Sequence, residues 1–525
     1  MTLAQRSGAH TPARAAACQA LLQRLRGAAG ATGEAGIDTV RIAWADLHGT
    51  QRAKTLVLDA DAANVAAALQ DGIGMVSTML LKDTADRTAF KVFEPGALAA
   101  LPGFAAANNT LLLPDPGSFV TLPWAPRTGW LRAQAYWPDG SPVALDPRPV
   151  LQHALAALAA HEGDGGPGLG LRCGLEVEFH IYRITSEAAA PNDAAWPGEA
   201  PEVALLHPGY GLLSEAHADQ AHEALDLVRH TALGLGLPLQ SLEIELGPSQ
   251  FEAVLAPTDA LTAADHMMLL RNGLRQALRR AGYHVSFVCR PPFANAVASG
   301  WHLHHSLVDA RGKPVMSRHA AAAGAAPRRT RSTGAKALAA GDAARLLSPT
   351  GAHWLGGLLA HAAGMCALCA PTLPAYSRYR GSVMAPQAPV WGYDNRGAML
   401  RVLGQAGASG ATSVRIENRL PEPMANPYLV LAAHVWAGLD GLRRRLDPGP
   451  AAEDPYASQN DSGQQRLPTT LPAALQALAA DATLQAGLGA HLLAAYQAIK
   501  QQEITRHAQT DDAITWERRE YFARY

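Results

Sequence analysis

No stretch of this 525-residue chain runs for about 20 residues without a polar interruption, the length a helix needs to cross a bilayer. Helical membrane spans are therefore not expected. Met1 to Gly30 carries scattered arginines but no continuous apolar core of signal-peptide type, so the expected location is cytoplasmic. Net charge is missing too. The 44 basic and 45 acidic residues leave -1, with a pI near 7.1, and supply no overall field to draw in nucleic acid or a membrane. Cysteine is scarce and odd in number: Cys18, Cys173, Cys289, Cys366 and Cys369. Only the last two have CxxC spacing. They sit in the apolar run Gly364 to Ala370 with no second pair and no nearby histidine at zinc-knuckle spacing, which fits a buried helical face rather than a metal or redox site. Small-molecule chemistry remains as the default.

What is present divides the chain. A length prior of roughly 150 residues per domain allows several domains, of which two suit a large catalytic chain best. Residues 1–36 read as an N-terminal lead: an Ala/Leu/Arg helix from about Ala13 to Ala29, then the Gly-rich break Gly30 to Gly36. Residues 37–145 read as a small, mostly β unit. Thr39 to Trp44 and Ala53 to Leu58 are strands of a hairpin around the turn Asp46 to Gly49, and turns rich in Pro, Asp and Gly follow. Residues 146–525 alternate short strands with helices predicted at Val150–His161, Ala218–Leu233, Ala260–Ala281, Leu355–Cys369 and Pro427–Arg445. The fold class is thus α+β. Within the second unit, 317–345 is dominated by Ala, Gly and Arg and reads as a mobile surface insertion; its cluster Arg328, Arg329 and Arg331 lacks the aromatic support a nucleic-acid patch needs.

Polar residues recur where strands should be apolar. In the strand around Cys173 to Tyr182, Glu176 and Glu178 are two apart, so the pleat places both carboxylates on one face, with Val, Phe and Ile on the other. Seen alone, that is also the pattern of a half-exposed edge strand. The pattern returns, however, in Leu242 to Val254, where Glu245 and Glu252 flank a Gly247-Pro248 turn. It returns again in Trp301 to Leu307, with His302, His304 and Ser306 at period two, and in Val414 to Leu420, with Arg415, Glu417 and Arg419. Crowded carboxylates repel and hold protons unless cations compensate. Five glutamates and one histidine offer three ligands to each of two cations, and so oxygen-rich a set suits Mg²⁺ or Mn²⁺ better than zinc. Arg378, Arg396, Arg401, Arg415 and Arg419 follow; their guanidinium forks match phosphate and carboxylate oxygens, and together with the carboxylates they point to phosphoryl transfer.

Five ordered segments carry a family likeness: Gly174-Leu-Glu-Val-Glu-Phe179, Glu245-Leu-Gly-Pro-Ser-Gln-Phe-Glu252, Ser299-Gly-Trp-His-Leu-His304, Asp394-Asn-Arg396 and Arg415-Ile-Glu-Asn-Arg419. They resemble the signatures of the glutamine synthetase superfamily, as does Asn426-Pro-Tyr428. Arg41 to Lys54, with Trp44, Asp46 and Gly49, looks like its β-grasp domain. The resemblance implies a β-grasp domain followed by a catalytic domain with a curved antiparallel sheet, and a double-ring homo-oligomer with active sites at subunit interfaces. It implies one cation on Glu178, Glu245 and Glu252 and another on Glu176, His302 and Glu417. It places His304, Ser306, Arg396, Arg401 and Arg415 against ATP, and Arg378 and Arg419 against glutamate. Arg396 and Arg419 act on the transferring groups, and Asp46 of an adjacent subunit helps deprotonate the incoming nitrogen. The implied reaction phosphorylates the γ-carboxylate of glutamate with ATP and passes the acyl group to a nitrogen nucleophile.

Two departures bear on the substrates. Ammonia-using members carry a flap glutamate six residues after the equivalent of Arg378; here Met384 stands there, followed by Ala385-Pro386 and Trp391-Gly392. This pattern is closest to γ-glutamylpolyamine synthetase-like members acting on larger amines. Where the family reads Asn-Gly-Ser-Gly before its metal histidine, this chain reads Val297-Ala-Ser-Gly300, so Val297 and Ala298 remove an amide that would hold the glutamate α-amino group. The leading expectation is a glutamate–amine ligase using ATP and two Mg²⁺ or Mn²⁺ on a small-molecule acid and amine. The rivals are glutamine synthesis from ammonia, a catalytically silent binding or regulatory homologue, and a two-metal hydrolase.

Overall fold

The computed structural model describes the chain except for residues 29–35, 60, 163–167, 188–189, 192–193, 319–344, 380–383, 406–411 and 457–465. The insertion expected at 317–345 falls almost wholly outside the described residues. Two sheets organise the rest. The smaller has six strands in the order Gln51–Val57, Thr39–Ala45, Ala125–Tyr136, Asn109–Pro114 and Ile73–Val76, with Val120–Leu122 also on Ala125–Tyr136. Thr39–Ala45 pairs antiparallel with Gln51–Val57, the expected hairpin, and parallel with Ala125–Tyr136. Helix Ala63–Asp71 follows the hairpin and buries Val65, Ala68 and Leu69.

The larger sheet has nine strands. Its central order is Trp391–Tyr393, Leu400–Leu403, Arg415–Asn418, Trp301–Val308, Gly170–Ser186, Gln250–Asp259 and Leu239–Ile244. Tyr283–Ser286 and Glu202–Leu205 pair with the far end of Gly170–Ser186. Every pair is antiparallel except Trp391–Tyr393 with Leu400–Leu403. The strand Gly170–Ser186 is the spine, 17 residues long and paired to four neighbours. Its apolar face, with Leu175, Val177 and Phe179, joins a core that also takes in Val40, Ile42 and Leu131 of the small sheet.

Helices cover that face. Asp259, whose carboxylate accepts from Thr262 N–H, caps Ala260–Arg280, and Arg279 and Arg280 close its last turn, where cations meet the negative end of the helix dipole. Pro427–Arg444, capped by Asn426, is buried along most of its length and lies against Pro349–Ala360. Glycines permit this crossing: a Cβ on Gly357 would sit 2.2 Å from the Ala437 carbonyl oxygen, and one on Gly441 2.1 Å from that of His353. Asn426 and Arg271 also hold the two sheets' units together. Asn426 Nδ2 donates to the carbonyls of Asp46 and Leu47 at 3.1 and 3.2 Å, and Arg271 donates to the Gly49 carbonyl at 3.0 Å.

The structure corrects two predicted helices. Ala218–Leu233 is two helices, Glu215–Gln220 and His222–Gly234, the first capped by Ser214. Leu355–Cys369 is likewise Pro349–Ala360 and Ala362–Cys369, bent by 71° at His361. That bent pair is apolar along most of its length, but its apolar residues are packed in the core; among the described residues no single helix is long and apolar enough to cross a membrane. At the bend, the His361 ring meets two carboxylates, Nδ1 to Asp481 at 2.7 Å and Nε2 to Asp440 at 2.9 Å. Both contacts are hydrogen bonds only when both ring nitrogens carry protons. Burial alone would lower the His361 pKa, but the two aspartates outweigh it and raise it above the ordinary value.

Because the folded pKa is raised, the stability that this clamp adds is fully present below the unfolded value near 6.5 and is lost as pH rises through the folded value. His361→Gln is expected to destabilise by about 3 kcal/mol in mild acid. The loss should shrink steadily in denaturant melts carried toward pH 9, with Arg444 still neutralising Asp440 at 2.9 Å. A cost independent of pH would count against the clamp.

Candidate active site

Strand register builds this site. Glu178 lies opposite Glu252, Glu176 opposite His302, His304 opposite Glu417, and Glu417 in turn opposite Arg401. Directly opposed residues share a face, so five adjacent strands deliver all of these side chains to one side of the large sheet. Leu175, Val177, Ala253, Leu303, Ile416 and Val402 alternate with them and go into the core.

The site residues are mostly buried: Glu417 is fully covered, and Glu178, Glu252 and His302 are each less than a tenth exposed. His302 stands at the centre. Its Nδ1 is 3.5 Å from Glu176 and 3.9 Å from Glu252, and its Nε2 is 3.6 Å from Glu178. Two groups have ligand atoms within 4.8 Å of one another: Glu176, His302 and Glu417, and Glu178, Glu252 and His302. The first is the expected second-cation set. The other differs from expectation in that Glu245 lies outside it, on the turn beyond Ile244, where its carboxylate accepts from Leu246 N–H at 3.3 Å. Glu245 still raises the Glu178 pKa through its charge.

The electrostatics separate the two groups. Burial, then the charges of Glu178, Glu176, Glu245 and Glu243, push Glu252 up to about 10. Burial and Glu245 push Glu178 up to about 7 against the pull of Arg378, the Gly300 N–H and Arg419. Glu245 is raised chiefly by burial. Glu176 and Glu417 go the other way. Burial would raise both, but hydrogen bonds from His302 and His304 hold Glu176 far below the ordinary carboxylate range, and His302, Arg419, His304 and Arg401 lower Glu417. Carboxylates held at raised pKa in an oxygen-rich set are what a hard divalent cation relieves, so these residues fit Mg²⁺ or Mn²⁺.

The arginines divide by partner. Arg401 donates to Glu417 at 2.8 Å and through Nε to Asp394 at 3.0 Å, and Arg419 donates to the other Glu417 oxygen and, at 3.5 Å, to the Met384 carbonyl. Arg415 donates from Nε to His304 Nδ1 at 3.2 Å, which leaves the His304 proton on Nε2, 2.9 Å from Glu176. Ser306 continues the same strand, half-buried. Arg378 is buried and directed at backbone, to the carbonyls of Arg419, Leu420 and Pro421 at 2.9 to 3.2 Å. Gly300 makes room for it: a Cβ there would lie 2.5 Å from Arg378 Nη2 and 3.0 Å from His302 Nε2. Arg396 is exposed on the turn between Tyr393 and Leu400, apart from these contacts. Met384 is half exposed, and Val297 and Ala298 are half-buried beside the Gly247 turn. Asp46 is buried in its own hairpin turn, accepting from the N–H groups of His48 and Thr50 and, at 3.1 Å, from Arg52.

Two residues were missed in the sequence. Asp394, inside a recognised segment, braces Arg401. Gln250 is buried and bonded to Glu178 at 3.1 Å. The signal for it was there, since it precedes Glu252 by two and shares its face.

A family model described as glutamine synthetase, catalytic domain, matches residues 144–328 and 330–521. The chain belongs to the glutamine synthetase family. It is 32% identical over 504 residues to a gamma-glutamylanilide synthase from Acinetobacter sp., covering 93% of each chain. It is 29% identical over 412 residues to the gamma-glutamylethanolamide synthetase GlnA4 of Streptomyces coelicolor, covering 78% of each. A solved structure titled "GmaS/ADP complex-Conformation 1" superposes with a TM-score of 0.69 at 28% identity, over 92% of this chain and 96% of that one. Glutamine synthetase family members use ATP and divalent metals, in accord with the donor set described above.

Cation uptake is expected to be visible without substrates. Mn²⁺ at about 100 times its Kd should stabilise the protein by about 2.7 kcal/mol. Protons leave Glu178 and Glu252 as the cation enters, so the affinity should fall as pH drops below about 10 and more steeply below about 7. Melting curves with Mn²⁺ at pH 6 and pH 8 check both points; identical shifts at the two pH values would contradict this account.

Proposed function

We propose that this glutamine synthetase family member is an ATP-dependent ligase that joins the γ-carboxylate of glutamate to an amine larger than ammonia. The observation that carries this reading is Met384, half exposed, with its carbonyl on Arg419. Ammonium arriving there meets a thioether where it needs an anion, whereas the carbon skeleton of an amine gains an apolar contact. Tyr456 borders the same place: its hydroxyl donates to the Ala385 carbonyl at 3.4 Å, and the Arg419 charge acts on it. The relatives named as making γ-glutamyl anilide and ethanolamide support the same substrate class.

In the first step the γ-carboxylate attacks the terminal phosphorus of ATP, ADP leaves, and an acyl phosphate forms. In the second the amine nitrogen attacks the acyl carbon, loses a proton, and inorganic phosphate departs. Divalent cations held by Glu176, His302 and Glu417, and by Glu178 and Glu252 with Glu245 at the rim, would neutralise phosphate oxygens. The protein supplies orientation and charge. Arg401 and Arg419, held from opposite sides by Glu417, present guanidinium groups that need little reorganisation as negative charge develops. Arg415 fixes the His304 ring for ATP, with Ser306 beyond it and Arg396 free to approach from the exposed turn. Arg378 anchors the Arg419–Pro421 backbone, so in this reading its part in glutamate binding runs through the remaining guanidinium N–H groups. The proposal keeps a β-grasp unit at 37–145, a catalytic unit at 146–525, and a homo-oligomeric ring in which Asp46 of a neighbouring copy borders the amine entrance.

Phosphate release and product mass, measured with ATP, Mg²⁺, glutamate and a panel of ammonia, ethanolamine, isopropylamine and aniline, test the reading. A carbon-bearing amine is expected to exceed ammonia in kcat/KM by at least roughly tenfold, the worth of one well-placed apolar contact. Met384→Glu should narrow that ratio by a similar factor. Ammonia as the best nucleophile would refute the proposal.

A further inference from the structure

We propose that Gln250 is a positioning residue that aims the Glu178 carboxylate into the cation site and joins that site to the loop receiving the acid substrate. The proposal rests on the cation reading above. Gln250 is 1% exposed, and its amide is used at both ends. Nε2 lies 3.1 Å from Glu178 Oε2, 3.0 Å from Ser299 Oγ and 3.3 Å from the Ala298 carbonyl, while Oε1 accepts from Gly247 N–H at 2.8 Å. Gly300 N–H gives Glu178 Oε2 a second bond at 2.9 Å. With Oε2 saturated, Glu178 faces His302 through Oε1 alone, 3.6 Å from Nε2. The carboxylate is therefore oriented before any cation arrives.

The other end of the amide governs the turn that carries Glu245. Ser249 holds a left-handed backbone at φ +54°, uncommon for a residue other than glycine, and is fully buried with its hydroxyl accepting from Leu206 N–H at 2.7 Å. Gly247 admits no side chain, since a Cβ would sit 2.5 Å from Gln250 Oε1 and 2.8 Å from Val297 Cβ. One side chain thus couples three pieces: the rim carboxylate through the turn, the Glu178 ligand, and the Val297–Gly300 segment whose sequence departs from the family pattern. Partners that orient metal ligands in this way are worth roughly 10- to 100-fold in metal affinity.

The experiment compares wild type with Gln250→Met, which keeps length and loses every hydrogen bond, and with Gln250→Asn, which keeps the amide but is too short to reach Gly247 and Glu178 together. Mn²⁺ binding is titrated by electron paramagnetic resonance without substrates, and melting curves are taken without cation. Both variants are expected to bind Mn²⁺ roughly 10- to 100-fold more weakly. In steady state the KM for glutamate should rise while the KM for ATP stays within about twofold, because the family resemblance puts the Ala298–Ser299 segment beside the acid; a merely structural defect would not split the two constants. Unchanged Mn²⁺ affinity in either folded variant overturns the positioning role alone. Absence of Mn²⁺ binding to the wild type overturns the cation reading and Gln250 with it, so the two failures are distinguishable.

Discussion

Opposing a carboxylate to a carboxylate across neighbouring strands is unfavourable by itself, and Glu178 against Glu252 is such a pair, at the middle of the large sheet. The sheet tolerates it because the alternate residues of the same strands, Val177, Phe179, Phe251 and Ala253 among them, are wholly buried. A slip by one residue would place these in the site and the glutamates in the core, so hydrophobic burial enforces a register that electrostatics opposes. The rest of the site inherits its geometry from that register. His302 is placed opposite Glu176, and the next strand brings Glu417 to His304.

Charge is then distributed unevenly along the face. Toward Arg415–Asn418 the carboxylates are compensated within the protein, with Glu417 gripped by Arg401 and Arg419 and Glu176 by the two histidines. Toward Leu239–Ile244 compensation fails, and Glu178, Glu245 and Glu252 are all raised. This end has the stronger demand for an external cation. The arginine-rich end is ready to meet anionic oxygens instead. A single sheet face thus runs from a surplus of negative charge to a surplus of positive charge, a gradient along which a bound metal–nucleotide and an acid can be ordered.

The face itself could be read from sequence, because a period of two survives in any strand and charged residues at that period stand out against Val, Leu and Phe. The helices Ala260–Arg280 and Pro427–Arg444 could be read as well, through their length, caps and apolar content. Other features depended on tertiary contacts. The bend at His361 comes where Asp440 of the helix Pro427–Arg444 and Asp481, the cap between two later helices, converge on one ring, and no local propensity records that. Arg378 looked like a ligand-binding arginine, yet most of its bonds go to carbonyls more than 40 residues away. Glu245 had the right chemistry, but the turn after Ile244 sets it at the edge of the cluster. The helices Leu471–Ala480, Ala482–Leu488 and Ala490–Ala508 lie beyond the motifs, and their hydrophobic residues close the core.

Asn426 serves both units. Its Oδ1 accepts from Tyr428 N–H at 3.0 Å, beginning the central helix, while its Nδ2 holds the two carbonyls of the hairpin turn. Hinge motion of the small sheet away from the large one would have to break these bonds and loosen the cap together, at roughly 1 kcal/mol for each interaction. Beside Arg271, this one amide latches the two units, and the latch is also the cap of the scaffold beneath the site.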